Sequence, residues 1–254
     1  MVDALFAHPR LAAVYDAFDG ERDDLDAYVA LADELGARSV LDVGCGTGNL
    51  ACLLAARGVD VVGLDPAGAS LDVARRKPGA DRVRWVHGDA TALGGPDGTG
   101  PDGAGPAGVG PVDLVTMTGN VAQVFVTDAA WAATLAAARA ALRSGGTLVF
   151  EARDPAREAW RGWDRARSFR RAHVPGVGHV ASWIDLTEAR PPLVSFRTTF
   201  EFAADGATLT SDSTLRFRSR AEVAASLAAA GLTLDEVRDA PDRPGAEMVF
   251  LARR

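Results

Sequence analysis

The sequence predicts an α/β protein built on a doubly wound, mostly parallel sheet of seven strands, with a small antiparallel β subdomain inserted before that sheet is completed. From residue 38 to residue 152, apolar runs of strand length alternate with helical stretches, which is typical of a parallel sheet covered on both faces. Between residues 168 and 217 the pattern changes to period-2 alternation, as in half-exposed antiparallel strands. One helical stretch and two strand-like stretches then close the chain.

The first half of the chain supplies the cofactor-binding elements of such a sheet. Two helical segments, residues 9–18 and 23–35, precede the first strand. The apolar runs that predict strands are 39–43, 59–64, 83–87, 112–117 and 147–151, and the helical stretches between them are 49–57, 69–77 and 128–143. Residues 94–111 contain 12 Gly or Pro in 18 positions. They cannot bury enough apolar surface to offset their ordering entropy, so we expect a flexible surface insertion without a function.

The second half begins with a short helical piece at 155–163. Strands are predicted at 168–174, 179–188, 193–203 and 207–217, with Asp205-Gly206 as a hairpin turn. A helix at 221–230 ends at Gly231, and strands at 232–237 and 247–252 complete the sheet. The predicted division is therefore residues 1–152 for the N-terminal helices and the cofactor-binding half, 153–217 for the inserted subdomain that covers the substrate, and 218–254 for the closing elements.

Composition excludes several classes of function. The chain has 254 residues with 27 basic and 34 acidic side chains, a net charge of −7, which argues against a nucleic-acid partner. It has no apolar run of about 20 residues, as a membrane span requires, and its first residues lack the pattern of a secretory signal. We therefore expect a cytoplasmic protein. Cys45 and Cys52, seven residues apart, suit neither a zinc site nor a disulfide framework, so no metal is expected.

The stretch LDVGCGTGNL, residues 41–50, joins the first strand to a helix through three glycines. Gly44 permits a tight turn, and Gly46 and Gly48 would let a ligand approach the bare backbone. The dinucleotide fingerprint would need glycine where Asn49 stands. Asp42, two residues before the first glycine, would repel a pyrophosphate but suits a ligand that carries an ammonium and a sulfonium. That charge implies S-adenosylmethionine.

Further polar residues follow the next three strands. Asp65 ends the second strand, 19 residues after Gly46, and its carboxylate can accept both ribose hydroxyls. Asp89 follows the third strand and can accept from the adenine amino group, and Gly119-Asn120 follow the fourth strand. Because the carboxyl ends of parallel strands meet at one edge of the sheet, these residues predict one cofactor site.

The segments VLDVGCGTG, GLD, GDA and DLVTMTGN resemble those of the class I S-adenosylmethionine-dependent methyltransferases, over about residues 38–152. The resemblance implies a Rossmann-like methyltransferase fold in which the three glycines line the methionine part of the cofactor. It places Pro66 against the adenine face and Ala90, with Asp89, at the border of the adenine. The segment RLAAVYD, with Tyr15, looks like the N-terminal helix that closes over the cofactor in members acting on small molecules, so the acceptor is expected to be a small molecule.

Methyl transfer from a sulfonium mainly requires alignment of the acceptor and exclusion of water. A base is needed only when the acceptor is protonated at working pH. The candidates for that base are Glu151, at the carboxyl end of the fifth strand, His173 and Tyr15.

The acceptor is expected to approach the methyl group from above the fifth strand, where residues 153–217 leave the sheet. Within this segment Arg153, His173 and Trp183 offer a charge, a titratable group and an aromatic wall. We therefore predict that these three side chains contact the acceptor.

Three other functions remain open from the sequence. The chain could bind S-adenosylmethionine without transferring methyl, and a nicotinamide-dependent oxidoreductase is disfavoured by Asn49. The third is an RNA methyltransferase. The seven arginines from Arg153 to Arg171 could bind an RNA backbone or an acidic substrate, but a solvated face paired with acidic residues is favoured. Against nucleic-acid methylation stands Thr118-Gly119-Asn120-Val121, which lacks the Pro-Pro-aromatic clamp for a flipped amine.

Overall fold

The computed structural model describes residues 2–20, 22–89 and 111–254, and the Gly/Pro-rich stretch at 94–111 lies outside these ranges except for its last residue. The described helices are α1 (Ala4–Ala7), α2 (Pro9–Asp19), α3 (Asp24–Glu34), α4 (Asn49–Ala56), α5 (Gly68–Ala74), α6 (Asp128–Ala141), α7 (Arg165–Ser168) and α8 (Arg220–Ala229). The described strands are β1 (Ser39–Val43), β2 (Asp60–Asp65), β3 (Val83–His87), β4 (Val112–Met117), β5 (Leu142–Arg153), β6 (Arg170–Val174), β7 (Gly178–Arg190), β8 (Leu193–Phe202), β9 (Thr208–Arg216), β10 (Thr233–Asp239) and β11 (Glu247–Arg253).

The main sheet has seven strands in the order β10-β11-β5-β4-β1-β2-β3. Strand β11 runs antiparallel to both of its neighbours, and the remaining pairs are parallel. The predicted doubly wound, mostly parallel sheet is confirmed. As a result, the ends of β1, β2, β4 and β5 and the start of β11 lie at the same edge, where ligands bind in folds of this kind.

Alternating side chains of the strands pack into two apolar cores, one on each face of the main sheet. Phe150 of β5 packs in the core beneath α6 and α8, whereas Val149 packs in the core beneath α3 and α4. Side chains alternate along a strand, so Glu151 points to the same face as Val149. That placement sends an acidic side chain toward α3 at the carboxyl edge of the sheet.

A second sheet of four antiparallel strands, in the order β6-β7-β8-β9, confirms the predicted subdomain. Its inner face carries Val180 and Phe200, which pack against Leu11 and Val14 of α2. At its other end, a separate cluster joins this face to Trp160 and Phe217. The second sheet therefore rests on the N-terminal helices at one end and on the segment after β5 at the other.

The structure differs from the sequence-based prediction at several bounds and in helix α7, which was not predicted. Helix α1 was not predicted, and its position depends on a tertiary contact, the Leu5 amide donating to Ser211 Oγ at 2.8 Å. The helical piece predicted at 155–163 is two short 3-10 turns, Pro155–Arg157 and Ala159–Gly162. Strand β5 begins at Leu142 rather than residue 147. In the described ranges, no helix is both long and apolar enough to cross a membrane.

Candidate active site

The glycine loop has a left-handed backbone at all three glycines, with φ of 72° at Gly44, 54° at Gly46 and 79° at Gly48. A Cβ at Gly44 would lie 2.6 Å from the side chain of Val121, and one at Gly48 would lie 2.4 Å from the ring of Trp85. A Cβ at Gly46 would meet no described atom within 4 Å. Gly44 and Gly48 are therefore required by packing within the protein, and Gly46 is the one of the three that opens onto free space.

Asp65 links the end of β2 to this loop. Its Oδ2 accepts from the Gly46 amide at 2.8 Å and its Oδ1 from the Ala67 amide at 2.7 Å. The residue is buried, and this burial raises the pKa of its carboxyl despite the two hydrogen bonds. Each carboxylate oxygen can accept a second hydrogen bond, so Asp65 can hold the loop and still receive a ligand hydroxyl.

Asp42 is a buried carboxylate at the carboxyl end of β1, 2% exposed. Its Oδ1 accepts from Thr116 Oγ1 at 2.7 Å, and within the described residues it forms no ion pair. Burial, the largest cause, raises its pKa to about 6, against the hydrogen bond from Thr116. A buried acid without a cation is costly, so this position fits a ligand that brings positive charge, as the ammonium and sulfonium of S-adenosylmethionine would.

Helix α2 is tied directly to the glycine loop through Asp16. Its Oδ1 accepts from Thr47 Oγ1 at 2.6 Å and from Asn49 Nδ2 at 3.3 Å, and its Oδ2 pairs with Lys77 Nζ at 2.7 Å. The neighbouring Tyr15 is largely enclosed, and burial, with the charge of Asp19 acting in the same direction, raises the pKa of its hydroxyl. Tyr15 is thus kept protonated, which suits a hydrogen-bond donor and not a base.

The residues expected around the adenine are only partly described. Pro66 is exposed at the end of β2, and its carbonyl oxygen lies 3.0 Å from His87 Nε2. Asp89 is exposed after β3, and Ala90 lies outside the described residues. The exposed Pro66 ring is available to pack against a planar ligand.

Asn120 joins the loop after β4 to the end of β5 and the start of β11. It has a left-handed backbone, φ 62°, which is unusual for a residue other than glycine. Its backbone amide donates to Glu151 Oε1 at 2.9 Å, and its side-chain Nδ2 donates to Glu247 Oε1 at 3.3 Å. Its Oδ1 is buried and has no hydrogen-bond partner in the described part of the chain. Strained, incompletely bonded residues of this kind concentrate at functional sites.

Glu151 lies at the centre of this buried polar group, 4% exposed. Its second carboxylate oxygen accepts from the hydroxyl of Tyr28 in α3. Burial is the main cause that raises the pKa of Glu151 to about 7. The charge of Glu247 raises this pKa further, and the hydrogen bond from the backbone amide of Asn120 lowers it. Near neutral pH this carboxyl can therefore hold or release a proton.

Arg153, at the end of β5, pairs in register with Glu247 at the start of β11. Its Nε lies 3.4 Å from Glu247 Oε1, and its Nη1 donates to Gln123 Oε1 at 3.2 Å. The guanidinium carbon lies 5.8 Å from the ring centroid of Trp163. Arg153 is thus brought to the same edge as Glu151, as the sequence predicted.

His173 and Trp183 are not brought to this edge. Along β6 and β7 they alternate with Val174 and Val180, which face α2, so both point to the outer face of the second sheet. The His173 ring is 5.0 Å from that of His179, and Trp183 lies under the guanidinium of Arg165 at 3.9 Å. On this face neither side chain meets Asn120, Glu151 or Arg153.

Sequence reasoning missed four polar residues at the carboxyl edge. Three of them contact a predicted site residue and the fourth, Arg243, contacts Glu247; the four are Tyr28, Gln123, Arg243 and Glu247. Glu247 could have been noticed in the sequence, because it is an acidic residue at the start of a final strand that is otherwise mostly apolar. Gln123 lies in the 3-10 turn Val121–Gln123 that follows Asn120, but no local pattern marks it out. Tyr28 and Arg243 reach the site only through the packing of α3 and the chain reversal between β10 and β11.

Comparison with known proteins identifies the domain. Residues 40–146 match the family model described as a methyltransferase domain. The chain is 28% identical over 202 residues to malonyl-[acyl-carrier protein] O-methyltransferase of Serratia marcescens, covering 73% of this chain and 68% of that protein. It is 39% identical over 86 residues to the biotin biosynthesis bifunctional protein BioHC of Cellvibrio japonicus, a match that spans 33% of this chain and only 17% of that protein.

A solved structure extends the likeness over the whole fold. The S-adenosylmethionine-bound amino pentose methyltransferase CalS10 of Micromonospora echinaspora is 28% identical, with a TM-score of 0.65 over 95% of this chain and 97% of that one. The likeness includes the second sheet as well as the glycine loop. Together with the buried Asp42, which forms no ion pair within the described residues, and the open Gly46, these matches identify residues 40–146 as a methyltransferase domain that uses S-adenosylmethionine.

Proposed function

We propose that this enzyme methylates O, N or C of a small molecule that lies beside α2, above the carboxyl ends of β4 and β5. The observation that carries the proposal is the position of the N-terminal helices. Asp16 of α2 binds the glycine loop, while Leu11 and Val14 of the same helix pack under the second sheet. The second sheet is thereby held over the site edge, which favours an enclosed small acceptor over a polymer lying on an open surface.

The cofactor would be held by the loops after the first four strands. Asp42 would face its positive charge, Asp65 its ribose and Pro66 its adenine, and Gly46 would leave room for close contact with the backbone. When bound, S-adenosylmethionine supplies an activated methyl group. The protein then has to orient the acceptor and exclude water.

Glu151 is the residue we propose to remove a proton when the acceptor is an ammonium. A general base works best when its pKa is near the working pH, and burial raises that of Glu151 to about 7. Tyr28 and the Asn120 amide hold its two oxygens in place. His173, on the outer face, has no comparable route to the site edge.

The relatives support a small polar acceptor. CalS10 is named as an amino pentose methyltransferase, and the Serratia enzyme is named for a malonyl group attached to an acyl-carrier protein. These are properties of those proteins. They favour transfer to a sugar-sized or acyl-sized group here, because such a group would fit the enclosed edge.

A transfer assay tests the proposed function directly. The enzyme is incubated with methyl-labelled S-adenosylmethionine and separately with pools of small amines, alcohols and carboxylic acids, with total RNA, and with an unfolded protein. We expect label to pass to at least one small-molecule pool and to neither polymer. Transfer to RNA alone, or tight cofactor binding with no transfer to any pool, would contradict the proposal.

The Asp65 assignment makes a separate prediction about the cofactor. In Asp65→Asn one carboxylate oxygen is replaced by an NH₂ group. The ribose hydroxyls therefore lose a charged hydrogen-bond acceptor. Loss of such a hydrogen bond costs about 1.5–3 kcal/mol, and calorimetry should show affinity for S-adenosylmethionine reduced roughly 10- to 100-fold. Asp72→Asn, an exposed change on α5, is the matched control. If the Asp65 variant and the control bound S-adenosylmethionine with equal affinity, Asp65 would not be a cofactor-binding residue.

Further parts of the proposal come from the sequence alone. They are the division at residues 152 and 217, the cytoplasmic location and the absence of a nucleic-acid partner. The roles of His173 and Trp183 in acceptor binding also stay predictions, to which the outer face of the second sheet gives no support.

A further inference from the structure

A cavity of about 250 Å³ opens to solvent beside the proposed acceptor position. It lies between the start of β11 and the segment that follows β5. Its lining residues are Arg153, Ala159, Trp163, Arg243, Ala246 and Glu247. Two guanidinium groups, one carboxylate and one indole thus meet around a space large enough for part of a small molecule.

The acidic member of this lining binds both arginines. Glu247 is buried, and its Oε1 lies 2.5 Å from Arg243 Nη1, 3.3 Å from Asn120 Nδ2 and 3.4 Å from Arg153 Nε. Its Oε2 has a longer contact, 3.5 Å, with Asn120 Nδ2. Glu247 therefore holds the two arginines side by side.

The basic members have donors to spare. A guanidinium carries five N–H groups. Arg153 uses Nη1 on Gln123 Oε1, and Arg243 uses Nε on Asp242 Oδ2 at 3.4 Å. Within the described ranges, the Nη2 group of each arginine makes no hydrogen bond. The side chain of Arg243 is 50% exposed and that of Arg153 is 22% exposed, and both line the cavity, so these donors can meet a ligand there.

We propose that this cavity binds an oxyanion, a carboxylate or a phosphate, carried by the methyl acceptor. The inference rests on the proposed small-molecule function and names the chemical class of its substrate. Paired guanidiniums match the geometry of both anions, and the Trp163 ring supplies an apolar wall for the group that bears the anion.

Asn120 connects this cavity to the cofactor edge. Its Nδ2 donates to Glu247 and its backbone amide donates to Glu151. These two hydrogen bonds hold the buried Oδ1, which has no partner within the described residues, in one orientation. An acceptor anchored by its anion would present an N–H or O–H to this oxygen. The anion and the reacting group would then bind at opposite ends of one site.

Calorimetry on the enzyme saturated with S-adenosylhomocysteine tests the proposal with three probes of similar shape, namely benzoate, phenyl phosphate and benzyl alcohol. We expect at least one anion to bind tenfold or more tightly than the alcohol, and the stronger of the two to identify the anion class. In Arg243→Gln anion binding should fall at least tenfold, and Arg243→Lys should retain part of it. Arg161→Gln, an exposed neighbour paired with Glu158, should leave binding unchanged.

Equal binding of the alcohol, no binding of either anion, or full anion binding by Arg243→Gln would each overturn the proposal. Thermal unfolding and cofactor affinity, measured on the same samples, show whether a variant has lost its fold. Methyl transfer separates this inference from the proposed function. Transfer only to uncharged small molecules would contradict the proposed anion site but agree with the proposed small-molecule methyltransferase function. Transfer only to a polymer would contradict the proposed function itself.

Discussion

Replacing Asp42 by Asn is expected to stabilise the cofactor-free enzyme at pH 7.5 and to weaken its binding of S-adenosylmethionine at the same time. The carboxylate is buried beside the hydroxyl of Thr116 and has no ion pair within the described residues. Asn keeps the shape and an oxygen that can accept from Thr116, but it carries no charge. The substitution therefore removes the cost of an isolated buried charge together with the attraction for a cationic ligand.

The sign of the pH dependence follows from the raised pKa. The carboxyl of Asp42 has a pKa of about 6 in the folded protein, above its ordinary value of 3.8. Between these values the folded state binds more protons than the unfolded state, so this residue makes the cofactor-free protein less stable as pH rises through the window. A shift of this size corresponds to at most about 3 kcal/mol at pH 7.5. The gain from Asp42→Asn should shrink as pH falls through this window and vanish well below the ordinary value of 3.8, where both states are protonated.

Cofactor binding should show the opposite trend. A cationic ligand favours ionised Asp42, so the parent enzyme should bind S-adenosylmethionine more weakly at pH 5 than at pH 7.5. In Asp42→Asn affinity at pH 7.5 should fall at least tenfold, and this pH dependence should be reduced. Urea unfolding without cofactor, and calorimetry at both pH values, measure the two effects. Asp60→Asn, exposed at the other end of the sheet, is the control. A variant that is less stable without cofactor, or that binds as tightly as the control, would show that Asp42 does not face the cofactor's charge.

The centre of the main sheet was predictable because strands such as β1 and β4 are buried on both faces and carry nearly continuous apolar runs. Strands β1, β3 and β4 have the predicted bounds, residues 39–43, 83–87 and 112–117. Strand β5 was predicted to start five residues too late. The strand continues through Gly145 and Gly146, outside the apolar run, with a register shift against β4 between Val112 and Leu114.

The cofactor edge was predictable for a similar reason, since each strand is followed directly by its polar residue. The acceptor side was not. Arg153 was found because it ends β5, but Arg243 and Glu247 reach it only through the antiparallel pairing of β11 with β5. The sequence also does not show which face of the second sheet carries His173. Alternation alone says that His173 and Val174 point to opposite faces, and only the contacts of Val174 with α2 decide which face is inner.

The glycine loop gives the second large effect, through two alanine substitutions that separate packing from ligand contact. A methyl group at Gly48 would lie 2.4 Å from Trp85, whose ring is held by a hydrogen bond from Nε1 to the Ala80 carbonyl oxygen at 3.0 Å. Overpacking of this kind costs about 1–3 kcal/mol, and the left-handed backbone adds about 1 kcal/mol. Gly48→Ala should therefore lower the free energy of unfolding by about 2–4 kcal/mol.

Gly46→Ala should behave differently, because a methyl group there meets no described atom within 4 Å. Only the backbone term of about 1 kcal/mol remains for the cofactor-free protein, whereas the space that the methyl group fills is where we place the cofactor. We expect Gly46→Ala to keep most of the stability and to lose at least tenfold in S-adenosylmethionine affinity. Urea unfolding and calorimetry on both variants decide the matter. If Gly46→Ala bound the cofactor like the parent, or if the two variants were equally destabilised, the open side of the loop would not be the cofactor's side, and the three glycines would serve the fold alone.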